Sequence, residues 1–194
     1  MKTWLHRFLF ALLTGLLPSG LMAQEAADHG EPVKVFWLAG QSNMEGQGVV
    51  DLDHEKHYNG GRGILTRVMT NPAMSARYRH LRHPNGEWVV RNDVFVRFRT
   101  AREIRTGGLT IGFTGYPGRH HIGPELQFGH VVGDAFSEPV LIIKTAWGGK
   151  SLHVDFRPPS AGGATGPWYQ KMLKEFEGVD LAGIHSRLQS FLDV

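Results

Sequence analysis

The residue best suited to chemistry in this chain is Ser42, in the stretch Gly40-Gln41-Ser42-Asn43-Met44. It follows the apolar run 33–39, and hydrolases use a strand that ends in a sharp turn to expose a nucleophilic hydroxyl at a sheet edge. The stretch is not a Gly-x-Ser-x-Gly elbow, because position 44 is methionine. Ser42 or Asn43 would also serve as the cap of a short helix. The residues alone therefore leave two hypotheses, a nucleophile and a helix cap.

Apolar runs and segments that begin with proline indicate the elements that would position Ser42. Short apolar runs bounded by Pro or Gly predict strands buried on both faces, and apolar residues at helical spacing after a proline predict helices. Such alternation is typical of an α/β domain with a parallel sheet, in which ligands bind beyond the carboxyl ends of the strands. Ser42 and the loop after Ala146 should therefore share one edge. The predicted elements are strands at 33–39 and 140–146 and helices at 124–136, 167–177 and 181–191.

Residues 83–99 predict a hairpin excursion from this domain. Apolar residues alternate with other residues from Val94 to Arg99, which is typical of a half-exposed strand. The basic residues of the region are then expected on its solvated face, and a polyanion site is not favoured. These residues are Arg91, Arg97, Arg99, Arg102 and Arg105.

The composition indicates a globular domain preceded by an export signal. The chain has 194 residues, of which 41% are hydrophobic and 20% charged, enough for one domain with a core. Residues 1–23 combine a basic start, an apolar stretch too short to span a bilayer with ease and a small final residue. They predict a cleaved signal peptide and a secreted or periplasmic protein, with an uncleaved anchor as the alternative. Residues 24–32 are polar and predict a flexible lead-in.

Charge and cysteine content exclude several functions. Removal of the signal peptide takes away Lys2 and Arg7 and no acidic residue, so the formal net charge falls from +3 to +1. A domain so near neutrality gives no electrostatic reason to expect nucleic acid as a partner. The chain has no cysteine, which excludes disulfides, thiol catalysis and cysteine-ligated metal. A metal site at His120-His121 and a phosphate loop at Gly149-Lys150-Ser151 both lack the spacing that such sites need.

Three blocks, in order, resemble one family of hydrolases. The stretch 40–44 after its strand resembles the first block of the SGNH (GDSL-type) hydrolases, and more narrowly the sialate O-acetylesterase and acetylxylan esterase branch, where Gln replaces the usual Asp. Residues 122–130 (Ile-Gly-Pro-Glu-Leu-Gln-Phe-Gly-His) resemble the glycine block and following helix of that branch. Residues 139–152, which include Ala146-Trp147-Gly148-Gly149, resemble its second strand and loop. The resemblance covers most of residues 33–177.

The resemblance implies a three-layer flavodoxin-like fold, a parallel sheet with helices on both faces, as an esterase domain over 33–194. It implies removal of O-acetyl groups from sialic acid, xylan or a related glycan through an acyl-enzyme on Ser42, with no cofactor or metal. The backbone N–H groups of Ser42 and Gly123 would stabilise the oxyanion. The residues that it assigns to substrate binding are Gln41, Asn43, Glu125, Trp147, Gly148, Gly149 and Ser151.

The catalytic base is where the sequence departs from the family pattern. The family takes its base from a C-terminal Asp-x-x-His, whereas the match in this chain is Asp51 to His54, close to Ser42 in sequence. A serine hydroxyl without a base is a poor nucleophile at neutral pH. We therefore expect the sequence to be a piece of a longer esterase, whose base lies beyond residue 194, or else a degenerate member. The other histidines considered as bases are His120, His121, His153 and His185.

An alternative from another class is a non-catalytic carbohydrate-binding module. Aromatic side chains at the strand ends could stack on sugar rings, although core packing is the commoner fate of such residues. The candidates are Tyr116, Trp147, Trp168 and Tyr169.

Overall fold

The computed structural model of the chain describes residues 32–52, residues 60–180 and Gly183. The predicted signal peptide, most of the predicted lead-in, His54 and His185 lie outside the described residues, as does the predicted helix at 181–191 apart from Gly183. None of the helices in the described ranges has the length and apolar character needed to cross a membrane.

Six strands and five α-helices make up the described part of the chain. Two 3-10 turns, Arg79–Leu81 and Pro159–Ala161, accompany them. The elements in chain order are β1 (Lys34–Gly40), α1 (Ser42–Glu45), β2 (Gly48–Val49), α2 (Leu65–Thr70), α3 (Ser75–Tyr78), β3 (Arg91–Arg99), β4 (Ile104–Leu109), β5 (His121–Ile122), α4 (Pro124–Ala135), β6 (Val140–Ala146) and α5 (Pro167–Glu177).

The main sheet has the order β1-β6-β3-β4. Strand β6 is parallel to both of its neighbours: Phe36 of β1 and Val96 of β3 both lie opposite Ile142. Strand β4 is antiparallel to β3 at the far edge, so the sheet is mixed. The predicted α/β fold is confirmed, with this one antiparallel strand added to the parallel sheet.

Helices cover both faces of the sheet. Phe36 packs against Phe128 of α4, with ring centroids 5.2 Å apart, while Trp37 stacks on Phe176 of α5 at 5.1 Å. Because neighbouring residues of a strand point to opposite faces, these two contacts place α4 and α5 on opposite sides of the sheet. The predicted three-layer arrangement is therefore confirmed.

Strand β3 is a central strand, so the predicted half-exposed hairpin is wrong. Its residues from Val94 to Phe98 are all buried, and Arg97 is only 9% exposed. The alternation of apolar and basic residues is real, but helix α5 covers the basic face. Glu175 of that helix forms ion pairs with Arg97 at 3.3 Å and with Arg99 at 2.5 Å. An acidic residue distant in sequence stands where the pattern predicted solvent.

The other basic residues of this region are also mostly engaged. Arg91 pairs with Asp93 and Asp134, and its pKa is raised mainly by the hydrogen bond to Asp93. The two N–H groups on Nη1 of Arg105 are shared among three backbone carbonyl oxygens, those of Gly112, Thr114 and Tyr116, each 2.9 Å from this nitrogen. Of the five arginines expected on a solvated face, Arg102 is the exposed one.

Strand β1 lies at the opposite edge of the described sheet, and the prediction that it is buried on both faces is wrong. Leu38 is its one buried residue, and Val35 is 40% exposed. Strand β6, by contrast, is buried at every position from Val140 to Ala146, as predicted. The two runs have similar apolar composition, and their positions in the sheet account for the difference in burial.

Candidate active site

Ser42 lies at the carboxyl edge of the sheet, together with the loop that follows β6. Gly40, the last residue of β1, is in register with Ala146, the last residue of β6. The N–H of Trp147 donates to the carbonyl oxygen of Gly40 at 3.2 Å, so the two chains leave the sheet side by side. The structure thus confirms that Ser42 and the loop after Ala146 share one edge.

The Ser42 hydroxyl does not cap a helix. Helix α1 begins at Ser42, its N-cap residue is Gln41, and the N-cap side chain makes no capping hydrogen bond. The Ser42 hydroxyl instead donates to Oε1 of Gln41 at 3.0 Å, on the exposed side of the turn. The capping hypothesis for Ser42 and Asn43 is therefore wrong. Ser42 is partly exposed, and no side chain caps the start of α1.

Contacts from the rest of the fold fix the turn that carries Ser42. Helix α1 has only four residues, far fewer than the roughly 12 that an isolated helix needs for stability. Its last residue, Glu45, accepts the N–H of Gly148 on its carboxylate at 2.8 Å. The backbone carbonyl oxygen of Glu45 accepts a hydrogen bond from the ammonium of Lys144 at 3.1 Å. The turn is thus tied to β6 and to the loop after it.

Lys144 and Glu125 form a buried ion pair directly beneath this turn. The Lys144 ammonium lies 2.6 Å from Oε2 of Glu125 and also donates to the carbonyl oxygen of Phe113 at 2.7 Å. Both side chains are essentially inaccessible to solvent. Burial raises the pKa of the Glu125 carboxyl and lowers the pKa of the Lys144 ammonium, while their mutual attraction opposes both shifts. Glu125 therefore supports the site from below, out of reach of a substrate in this structure.

Gly123 is held by the same ion pair. It is the N-cap of α4, and its N–H donates to Oε1 of Glu125 at 3.0 Å. A side chain at this position would overlap the Glu125 carboxylate and lie 2.8 Å from Nζ of Lys144, which alone explains the glycine. The amide predicted to stabilise the oxyanion thus has a carboxylate acceptor in the structure. Its role towards an oxyanion stays a prediction.

An open groove of about 440 Å³ runs beside the Ser42 turn. The short ribbon of β2 and β5 forms one wall, with Gly48 opposite Ile122. Gln41, which was also predicted to bind substrate, is exposed at the start of the turn. The groove is lined by Asn43, Gln47, Gly48, Ile122, Gly123 and Pro124. The structure therefore brings Asn43 and Gly123 to one groove, next to Ser42.

The remaining residues predicted to bind substrate lie in the loop after β6 and differ in their exposure to solvent. Trp147 is only 3% exposed and packs against Trp168, with ring centroids 4.9 Å apart, so it offers no free face to a sugar ring. Gly148 and Gly149 are exposed, and Gly149 has a left-handed φ of 72°. Ser151 is exposed as well, and its hydroxyl accepts the N–H of Val154 at 3.1 Å. Trp147 is a packing residue here, whereas the glycines and Ser151 are accessible.

A histidine–aspartate pair lies near the groove but not on Ser42. Nδ1 of His120 is 2.7 Å from Oδ1 of Asp51, and both side chains are about half exposed. Neither residue lines the groove beside Ser42. Within the described residues, the Ser42 hydroxyl has Gln41 as its hydrogen-bond partner and no histidine, and no cluster of three or more metal-binding side chains occurs.

Two residues of this site, Lys144 and Glu45, were not among the predicted ones. Lys144 is the one charged residue in an otherwise apolar strand, and a charge that is certain to be buried needs a partner. Its position in β6 was thus a usable signal, although its partner Glu125 could not be read from sequence. Glu45 carries no such signal, because acidic residues in short turns are commonly solvated.

Comparisons with known proteins identify one matching family. The model of the family described as carbohydrate esterase, sialic acid-specific acetylesterase matches residues 32–186. A search of curated proteins finds no match. Among solved structures, a protein from Arabidopsis thaliana is similar, with 17% identity and a TM-score of 0.44 over 79% of this chain and 53% of that one. The chain therefore spans about half the length of that protein.

The fold and the site define an α/β domain with a serine at the carboxyl edge of its sheet. The family match extends over most of the chain. The chain belongs to the carbohydrate esterase family of sialic acid-specific acetylesterases.

Proposed function

We propose that the protein is a serine esterase that removes O-acetyl groups from a glycan, with Ser42 as the nucleophile. The observation that carries the proposal is the partly exposed Ser42, at the carboxyl edge of the sheet, in a domain of a carbohydrate esterase family. The Ser42 oxygen would attack the acetyl carbonyl carbon, the sugar hydroxyl would leave, and water would then hydrolyse the acetyl-serine to acetate. The acetylated sugar would be sialic acid, xylan or a related glycan.

The oxyanion of each tetrahedral intermediate needs fixed donors. The N–H of Ser42, at the uncapped start of α1, supports this role. The N–H of Gly123 lies beside the same groove, and it would serve after sharing or release by the Glu125 carboxylate. The Lys144 ammonium balances the negative charge of Glu125, which would otherwise oppose an oxyanion nearby.

Hydrolysis of p-nitrophenyl acetate and release of acetate from O-acetylated sialic acid and acetylated xylan test the proposal. Ser42→Ala is expected to lower kcat/KM by about 1,000-fold or more, because the covalent step disappears. Ser137→Ala is the matched control. Ser137 is exposed and lies just before the amino-terminal end of β6, whereas Ser42 lies at the carboxyl end of the strands. Equal rates for Ser42→Ala and the unchanged protein on every substrate would contradict the proposal.

The assay is run with and without added imidazole, because no described histidine is bonded to Ser42. Imidazole as an external base should raise the rate of the unchanged protein above that of Ser42→Ala at the same imidazole concentration. Mass spectrometry of the trapped intermediate should then locate one acetyl group on Ser42. An acetyl group on another residue would assign the nucleophile elsewhere.

A further inference from the structure

The Ser42 turn takes its position from contacts with the rest of the fold. Helix α1 has neither the length nor the N-terminal cap to hold its own position, and Gly46, which ends it, has a left-handed φ of 99°. A side chain on Gly46 would lie 2.9 Å from the backbone of Gly123, so the two segments are in close contact. The position of Ser42 relative to Gly123 is therefore set by whatever fixes these two segments.

Lys144 contacts both segments at once. Its ammonium donates to the carbonyl oxygen of Glu45 in the turn and to the carboxylate of Glu125, which in turn accepts the N–H of Gly123. Its third donation goes to the carbonyl oxygen of Phe113, in the loop before β5. An ammonium has three N–H donors, and the three acceptors come from three separate segments of the chain. The side chain is rooted in β6, the most deeply buried strand of the sheet.

We propose that Lys144 is the positioning residue of the esterase site, which holds the Ser42 turn against Gly123 through the Glu45 carbonyl and the Glu125 carboxylate. Lys144 takes no part in bond making, because it is buried and does not reach the substrate groove. Its effect is on the distance and orientation between the nucleophile and the groove, and a misplacement of about 1 Å is enough to slow a reaction 100-fold. The inference rests on the proposed esterase function.

The test compares two double variants of the full chain. Lys144→Met with Glu125→Gln removes both charges together, so that no unpaired charge is left buried and the fold is retained. Arg97→Met with Glu175→Gln removes the ion pair on the other face of the sheet and serves as the control, in which Arg99 also loses Glu175 but stays partly exposed to solvent. The first variant is expected to lower kcat on p-nitrophenyl acetate by about 10- to 100-fold with KM changed by less than about twofold. The control is expected to change neither constant by more than about twofold.

Both variants are assayed at a temperature where circular dichroism shows them fully folded. Unchanged kcat in the Lys144 variant, or an equal fall in the control, would overturn the inference while leaving the esterase function intact. If the protein without substitutions hydrolyses no acetyl ester, with or without imidazole, the proposed function is refuted instead. The two failures are therefore distinguishable.

A readout independent of activity addresses the turn itself. The N–H groups of Glu45 and Gly46 close α1 by donating to the carbonyl oxygens of Gln41 and Ser42, at 2.7 and 3.0 Å. Their hydrogen exchange, followed by NMR, should become at least about tenfold faster in the Lys144 variant, because the turn loses its anchor, and should be unchanged in the control. Unchanged exchange in the Lys144 variant would show that other contacts hold the turn.

Discussion

Two buried ion pairs lie on opposite faces of the same sheet and hold very different structures. Lys144 and Glu125 lie on the α4 side and connect the short turns that surround Ser42. Arg97 and Glu175 lie on the other side and connect a regular strand, β3, to a regular helix, α5. In the first pair, both side chains are inaccessible to solvent. In the second, Glu175 also pairs with Arg99, whose side chain is 34% exposed.

The difference indicates where the fold depends on a charge. Strand β3 and helix α5 have ladder hydrogen bonds and apolar contacts of their own, so their ion pair adds to packing that already exists. Helix α1 and the start of α4 approach each other most closely at two residues without side chains, Gly46 and Gly123. In such a place a charged network supplies the fixed geometry that apolar packing supplies elsewhere.

The largest expected effect is on stability, from single removal of each cation. Lys144→Met should lower the free energy of unfolding by about 3–5 kcal/mol, because it leaves the Glu125 carboxylate buried without a cation. Arg97→Met should lower it by only about 1–2 kcal/mol, since Glu175 keeps Arg99 as a partner at 2.5 Å. Urea denaturation followed by circular dichroism at neutral pH measures both values.

Equal losses in the free energy of unfolding for Lys144→Met and Arg97→Met would contradict this comparison. Arg97 would then be as important for stability as Lys144, and the remaining ion pair between Arg99 and Glu175 would not compensate for its loss. A Lys144→Met protein that recovers most of its stability when Glu125→Gln is added would identify the unpaired carboxylate as the source of the loss.

Sequence was sufficient for the parts of this fold whose cause is local. Strand β6 and helix α4 were predicted from an apolar run and from a proline at the first helical position, and both are present as Val140–Ala146 and Pro124–Ala135. The shared edge of Ser42 and the loop after Ala146 followed from the parallel arrangement of their strands. Strand β6 and helix α4 depend on residues that are neighbours in the chain, and the shared edge follows from a general rule for parallel sheets.

Features that depend on distant residues could not be predicted in this way. The basic face of β3 is buried because Glu175, 78 residues after Arg97, covers it. Glu125 was assigned to the substrate, yet its partner Lys144, 19 residues away, draws it into the interior. In each case a charged side chain that the sequence places in solvent is buried in the structure, because a partner distant in sequence pairs with it.

The α4 side of the sheet should also be the acid-sensitive side. His130 of α4 is 4% exposed, and burial lowers its pKa to about 4, with His80 and Arg91 as further causes. In the unfolded chain, its pKa is about 6.5, so the unfolded state binds a proton first as the pH falls. The histidine therefore favours the folded state above about pH 6.5, and this contribution is lost as the pH falls towards 4, at up to about 1.4 kcal/mol per pH unit.

Urea denaturation between about pH 7.5 and pH 4.5 measures this loss. His130→Gln is the comparison variant, because glutamine does not titrate in this range. The unchanged protein should lose stability more steeply than His130→Gln below about pH 6.5. Parallel curves for the two proteins would assign the acid sensitivity to other groups.

The smallest effect is expected at the exposed pair of His120 and Asp51, which has the side-chain types of a catalytic dyad. The distance of 2.7 Å satisfies the geometry of such a pair, but both groups are about half exposed, and a solvated pair contributes at most about 1 kcal/mol. The Ser42 hydroxyl bonds to Gln41, and the groove beside it is lined by neither His120 nor Asp51. His120→Gln should therefore change kcat/KM on p-nitrophenyl acetate by less than about twofold, in contrast to the Lys144 double variant. A fall as large as that of Ser42→Ala would make His120 the base of the site, and the contrast between a buried support and a solvated pair would no longer hold.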